Sequence, residues 1–384
     1  MRTLMTRGAT LLAILTLVVA GAAPAAAANR RYVALALGGE FGCALSAQGR
    51  AYCWGQNWMG QLGNGGTLDS NVTTHNVGTP VDGSLRYTSI AAGYGFACAL
   101  TTEGLAYCWG NNERGQLGNG DSGENHKSSA PVPVAGGITF TSITAGEEFA
   151  CALTAAGRAY CWGTNSYGQL GNGDSGPGHI SSGPVAVKGK LRFASIAAGG
   201  VHTCGITTQG KTYCWGENGN GRLGNDSSDD SSVPVAVVGR HTFAALSLGT
   251  ESSCALTTSG KAYCWGGNSS GQHGNGTNTP SDVPVLAMGG KRYASISLSA
   301  QDSYAQCYGL RSGRLECTGW TDITAEIGSG VTSPVAMTMR GVSYGVTYYN
   351  FCALTSAGEI YCTGSGSGLG DGIGEDSSTP VLVQ

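Results

Sequence analysis

Charge is scarce in this 384-residue chain: Asp, Glu, Lys and Arg fill only 12% of its positions, about half the usual share for a soluble protein. The 21 basic and 24 acidic side chains nearly cancel, leaving a formal charge of −3, and no run of Lys or Arg gathers anywhere along the sequence. A protein built to neutralise phosphates carries such a basic footprint, so no nucleic acid is expected as partner. Long apolar runs are missing as well. The longest stretch, residues 9–20, falls short of the roughly 20 residues that span a bilayer, so no membrane span is expected. No C-x-x-C pair occurs and the six histidines are scattered, which argues against a metal site. There is no Ser-His-Asp arrangement, no HExxH and no phosphate-cradling loop attached to a helix, so neither catalysis nor a cofactor is expected. Disorder is excluded by a hydrophobic fraction of 41%, and collagen by the irregular spacing of the 65 glycines.

The amino terminus reads as a secretory signal peptide over residues 1–28. Arg2 and Arg7 form its basic region, residues 9–20 its apolar core, and Ala26, Ala27 and Ala28 a small-residue cleavage site before Asn29. Export follows, with residues 29–384 as one domain, secreted and extracellular or associated with the cell envelope; the character of the leader points to a bacterium.

Fourteen cysteines fall into seven pairs: Cys43 with Cys53, Cys98 with Cys108, Cys151 with Cys161, Cys204 with Cys214, Cys254 with Cys264, Cys307 with Cys317, and Cys352 with Cys362. Each pair is ten residues apart, and first members recur at steps of 55, 53, 53, 50, 53 and 45. A period of this size marks a solenoid, a propeller or another array. Within one copy, Thr88–Gly93, Ala97–Thr101 and Leu105–Gly110 are short apolar or alternating runs between glycine-rich turns, so the unit is all-β. Thr102, Glu103 and Gly104 suit a three-residue hairpin loop closed by a left-handed glycine. Gly49, Gly104, Gly157, Gly210, Gly260, Gly313 and Gly358 hold that position in the seven copies.

This register sets Cys98 directly opposite Cys108, within reach of a disulfide, and an exported chain meets an oxidising compartment. Seven hairpin disulfides are therefore expected. A fourth run, at Pro131–Val134, Pro184–Val187, Pro234–Val237, Pro284–Leu286, Pro334–Ala336 and Pro380–Val383, carries proline and so belongs at a sheet edge. Seven units of four antiparallel strands make a seven-bladed β-propeller. Whether the first and last strands share a blade or lie side by side is open at this point.

A second signature follows the first five hairpins, as in Trp109-Gly-Asn-Asn-Glu-Arg-Gly-Gln-Leu-Gly-Asn-Gly120, recurs at Trp54–Gly65, Trp162–Gly173, Trp215–Asp226 and Trp265–Gly276, and degenerates in copies six and seven. Together with Ala-Ala-Gly before the first cysteine and Ala-Leu-Thr after it, this resembles the regulator of chromosome condensation repeat family over residues 32–384. The resemblance implies a seven-bladed propeller. It departs in two places. The family's histidine two residues before the first cysteine survives only as His202, with Phe41, Phe96, Phe149, Ser252, Ala305 and Asn350 elsewhere, and Thr318 and Thr363 replace the tryptophan in the last two copies. The family's eukaryotic namesake is a guanine nucleotide exchange factor, an activity that export would separate from any small GTPase. The same propeller family includes a β-lactamase inhibitory protein, which implies a secreted propeller presenting its loops to a protein.

Strand direction places the variable inner turns and the long loops on one face and the Thr-x-x-Gly hairpins on the other. The inner turns bring Glu40, Phe41, Tyr94, Phe96, Glu147, Glu148, Phe149, His202, Glu251, Asp302, Tyr304, Tyr348 and Tyr349 to the channel mouth as a candidate aromatic and acidic partner-binding ring. The alternative is that the phenylalanines plug the channel. The repeated tryptophans suit packing between blades, the Gly-Gln-Leu-Gly segments suit loop scaffolding, and His202 a structural role. Asp121, Asp174, Asp226, Asp229, Asp230 and Asp371 lie in Gly/Asn/Ser-rich loops of the kind calcium prefers, but no EF-hand spacing appears and turn formation, the favoured reading, explains the same residues. The expected function is a monomeric, non-catalytic binding module for a protein. An extracellular enzyme or glycan binder at the channel mouth is the alternative, and nucleotide exchange the less favoured one.

Overall fold

The computed structural model describes residues 30–39, 41–66, 74–298, 305–310, 315–319, 334–342, 348–364 and 369–384. The leader assigned to residues 1–28 and the hairpin glycine Gly313 lie outside them. Blade two shows how the repeat becomes a sheet. Its strands Tyr87–Ala92, Phe96–Thr101, Ala106–Gly110 and Ser128–Pro133 pair in sequence order, all antiparallel. Blades one, three, four, five and seven repeat this order over residues 32–80, 142–186, 193–236, 243–286 and 334–382, and blade six contributes three strands over 295–319 among the described residues.

The hairpin register is the one the loop chemistry dictates: Cys98 faces Cys108, Ala99 faces Tyr107 and Leu100 faces Ala106. The other six pairs are opposed in the same way: Cys43 with Cys53, Cys151 with Cys161, Cys204 with Cys214, Cys254 with Cys264, Cys307 with Cys317, and Cys352 with Cys362. All seven are closed as disulfides, with Cα atoms 4.0–4.2 Å apart. They are the narrow, non-hydrogen-bonded kind of antiparallel pair, whose side chains approach closely. Gly104 has φ +81°, and adding a Cβ there would bring it 2.8 Å from the carbonyl oxygen of Phe140 in the next blade. Both backbone conformation and space therefore demand glycine at the hairpin.

The ends of the chain lie side by side and do not share a blade. Tyr32 N–H donates to Gly358 O at 2.7 Å and Gly78 N–H to Gln384 O at 3.1 Å. Tyr32, Leu37 and Trp54 from the start of the chain bury with Leu354, Ile360 and Val383 from its end. One strand assignment needs correction. The proline run at 334–336, read as the outer strand of copy six, opens the inner strand of blade seven, Pro334–Val342, where Thr338 faces Cys352. The step between cysteine pairs shrinks to 45 residues there, leaving too little chain for the usual outer strand, connection and inner strand in succession.

Candidate functional site

The long loops after the third strands of blades one to five share an internal hydrogen bond from the loop backbone to a buried asparagine. In blade two, Asn112 Oδ1 accepts the Leu117 N–H at 3.0 Å while its amide donates to Asn119 Oδ1 at 3.3 Å and Asp121 O at 3.1 Å. Gln116 Oε1 accepts the Arg114 N–H at 2.8 Å. The loop then latches onto its neighbour: the Trp162 indole N–H of blade three donates to Gln116 O at 3.0 Å. Trp109, Trp215 and Trp265 repeat the latch on Gln61 O, Gln169 O and Arg222 O at 2.9–3.0 Å. These indoles are fully buried, as are Leu62, Leu117, Leu170 and Leu223 of the loops. Tryptophan and Gly-Gln-Leu-Gly are thus the two halves of one interblade joint.

The inner turns depart from the expected ring. Phe41, Phe96, Phe149 and His202 are at most 2% exposed and present nothing to a partner. Each packs down onto the glycine three residues earlier: a Cβ on Gly93 would fall 2.0 Å from the Phe96 ring, and one on Gly199 would fall 2.5 Å from the His202 ring. A missing side chain makes the pocket that each ring fills. The partly exposed members of the candidate ring are Tyr94, Glu147, Glu148 and Glu251. Glu40, Asp302 and Tyr304 lie outside the described residues, and the backbones of Tyr348 and Tyr349 belong to the strand Tyr348–Thr355. The rim itself is stitched blade to blade, with Tyr94 N–H on Glu147 O at 2.8 Å, Glu147 N–H on Gly200 O at 3.1 Å and Gly200 N–H on Gly249 O at 3.1 Å.

Two exposed aromatics fall outside the ring expected from the sequence. Trp58 is 46% and Tyr167 43% exposed, both in the two-residue gap of Asn-x-x-Gly. That gap reads Trp-Met, Glu-Arg, Ser-Tyr, Gly-Asn and Ser-Ser in blades one to five, a variability inside an otherwise repeated loop that marks it as unconstrained by the fold. Met59 of the same gap comes within 3.4 Å of where a Gly95 Cβ would stand, so the tip of loop one adjoins the turn bearing Tyr94.

Polar chemistry collects at the seam of blades four and five. Arg222 takes the glutamine's place, its side chain 4% exposed, and its Nη1 donates to Glu217 Oε2 at 2.6 Å and Thr250 O at 2.8 Å. Burial raises the Glu217 carboxyl above its usual range against the pull of Arg222, with Asp230 and Glu251 adding to the rise. His202 Nε2 lies 2.8 Å from Ser253 Oγ, and that hydroxyl donates to Arg222 O at 2.8 Å. With the serine proton committed to a carbonyl, the imidazole must donate through Nε2, and burial holds its pKa well below the ordinary value. The pair lacks a carboxylate at Nδ1, which has no hydrogen-bond partner, and it lacks access for substrate. It is a structural contact, not a nucleophile and base.

The aspartate loops are similarly self-contained. Asp121 Oδ1 and Asp174 Oδ1 accept the next residue's N–H at 2.9 and 3.0 Å, and their carboxylates also meet His126 and His179. Turn formation accounts for them. Among the described residues, no three His, Cys, Asp or Glu side chains are grouped to hold a metal ion.

Comparison with known proteins bears on the fold and on the repeat. The profile described as RCC1-like domain matches residues 18–305. The chain is 35% identical over 200 residues to the mitochondrial RCC1 domain-containing protein RUG3 of Arabidopsis thaliana, covering 50% of this chain and 44% of that one. It is 31% identical over 190 residues to the ultraviolet-B receptor UVR8 of the same plant, covering 50% and 42%. The matched stretch is less than half the length of either relative. Among solved structures, human WBSCR16 superposes with a TM-score of 0.72 at 20% identity, covering 87% of this chain and 94% of that one. Prp20p of Saccharomyces cerevisiae, described with its binding to Gsp1p and histones, superposes with a TM-score of 0.61 at 16% identity, covering 92% and 77%. These superpositions speak to the fold alone.

Proposed function

The chain belongs to the RCC1-like domain family, and from that premise we propose that it is an exported, non-catalytic binding module whose upper face receives a protein partner. The observation that carries this reading is the pair of aromatic side chains, Trp58 and Tyr167, held 46% and 43% exposed on loops that the fold otherwise locks in place. A large aromatic left in water on a rigid loop gains most from a partner, because little conformational entropy remains to be lost on binding. Tyr94 on the rim beside loop one and the carboxylates of Glu147, Glu148 and Glu251 extend the same surface. Seven disulfides and no free cysteine among the described residues suit an oxidising compartment, which supports export.

The test is capture of secreted and envelope proteins on the oxidised chain, followed by direct titration of whatever is retained. The comparison protein is the triple variant Trp58→Ala, Tyr94→Ala, Tyr167→Ala, which leaves the buried phenylalanines untouched. Retention by the unmodified chain with at least a tenfold weaker dissociation constant for the variant is expected. Equal affinity for the two removes the upper face as the site, and retention of glycans in place of proteins favours the glycan-binding alternative.

A further inference from the structure

The lower face carries charge that the linear sequence conceals. Each Thr-x-x-Gly hairpin adjoins the first residues of the next blade's inner strand, since Tyr87, Phe193 and Tyr293 donate their N–H to the carbonyls of Gly49, Gly157 and Gly260 at 2.8 Å. The residue after the hairpin glycine and the residue before the following aromatic therefore meet across these seams. At three seams both are basic: Arg50 with Arg86, Arg158 with Arg192, and Lys261 with Arg292. Lys261 and Arg292 are directly opposed as an isolated antiparallel bridge. Four of the six, Arg86, Arg158, Arg192 and Arg292, are exposed, and none of the six forms an ion pair among the described residues. The connections beside them add Lys190, Arg240 and Lys291, also exposed, of which only Lys291 has an acidic partner, Glu316.

Placing like charges opposite one another costs stability, and the fold does not require it. At the seam of blades two and three the same bridge is made by Leu105 and Thr139. A basic pair repeated where an uncharged pair serves the structure equally well calls for an external anion. We propose that this lower face docks on a planar anionic surface, namely a lipid bilayer bearing anionic headgroups. The arrangement favours a plane over a nucleic acid chain. The basic pairs sit at alternate seams of a propeller end, interrupted by uncharged Leu105 and Thr139, and do not form one continuous line along which a phosphate backbone could run, and among the described residues no strongly exposed aromatic lies on these hairpins or connections for nucleobases to stack on. Such docking is peripheral and reversible, and leaves the upper face turned away from the membrane.

Co-sedimentation of the oxidised protein with phosphatidylcholine vesicles, with and without phosphatidylglycerol, tests this. Binding only to the anionic vesicles is expected, weakening steeply as salt is raised. The quadruple variant Arg86→Gln, Arg192→Gln, Lys261→Gln, Arg292→Gln should partition about fivefold less per residue removed, roughly 600-fold in all at low salt. Trp58→Ala and Tyr167→Ala should bind vesicles like the unmodified chain, so this proposal and the upper-face reading fail separately. Indifference to lipid charge overturns the proposal, as does a quadruple variant that binds undiminished. Retention on heparin or duplex DNA without vesicle binding also overturns it, in favour of a polymeric anion. Should the quadruple variant not fold, the salt titration of the unmodified chain carries the same test.

Discussion

Seams between blades one and five are closed by a tryptophan, and the seam between blades five and six is closed without one. In the first group an indole N–H reaches a loop carbonyl of the preceding blade while its ring fills the space beside a loop glycine: a Cβ on Gly118 would lie 2.7 Å from the Trp162 ring. In blade six Thr318 stands in the tryptophan position, and its hydroxyl donates to Gln272 O at 2.8 Å. The space beside the corresponding Gly274 is taken by Met288 and the Thr318 methyl, 2.6 and 2.8 Å from where a Cβ would be. The joint thus consists of a hydrogen bond and a filled volume, and the two can be supplied by different residues. Degeneration of the repeat motif in sequence is here a redistribution of its parts.

That division predicts unequal costs. Trp162→Ala removes both parts at once and should destabilise the protein by about 3–5 kcal/mol, the usual loss for a buried large aromatic, seen as a lower denaturant midpoint. Next comes the hairpin staple, which is independent of what fills the seam. Replacing Cys151 and Cys161 together by alanine should cost about 2–3 kcal/mol, and replacing Cys352 and Cys362 in blade seven should cost the same within error. A much larger loss in one of the two blades would mean that its disulfide does more than close its own hairpin.

Most of the architecture was legible because each repeat writes it again. Ten-residue cysteine spacing and a three-residue loop leave one antiparallel register, from Cys43 and Cys53 in blade one to Cys307 and Cys317 in blade six, and seven copies leave one closed arrangement. Less legible was anything that depends on a neighbouring blade. Whether Phe96 faces solvent or lies on Gly93 is decided by packing within and between the inner turns, so Phe41, Phe96 and Phe149, read as candidate ring members, are interior, while Tyr94 of the same ring is partly exposed. Trp58 and Tyr167 were hidden in the variable gap of a repeated loop, where the surrounding repetition masks two unconstrained positions. The basic lower face was hidden because its members are some 30 to 40 residues apart in the chain, as Arg50 is from Arg86 or Lys261 from Arg292, and only the blade-to-blade contact makes them pairs. Pro334 misled because proline marks an edge, and the first residue of an inner strand tolerates it as well as an outer strand does.

Blade five differs from blades one to four in a way that pH should expose. His273 replaces the loop leucine and is fully buried, and burial lowers its pKa from 6.5 to about 4. The unfolded chain therefore takes up a proton between these values that the folded protein refuses. Stability is complete above pH 6.5 and falls as pH drops toward 4, by on the order of 2 kcal/mol at pH 5. His273→Leu, which restores the residue of the other loops, should flatten this dependence. His202, buried beside Ser253 and lowered in the same direction, should leave a residual slope, so complete flattening by His273→Leu would assign the whole effect to the loop.

The smallest effect isolates the hydrogen bond from the filled volume. Thr318→Val keeps the shape that packs beside Gly274 and Met288 but removes the donor to Gln272 O. A carbonyl that loses one polar partner typically costs about 1 kcal/mol, so the denaturant midpoint should fall modestly with the slope unchanged. The reverse substitution, Thr318→Trp, restores the donor of the other seams but drives an indole into the volume Met288 already holds, and should be no more stable than Thr318→Val. Adding Met288→Ala to Thr318→Trp should then recover stability, because the volume is vacated for the ring that fills it elsewhere. If Thr318→Trp alone is stabilising, the sixth seam is underfilled, and the exchange of roles between Thr318 and Met288 is wrong.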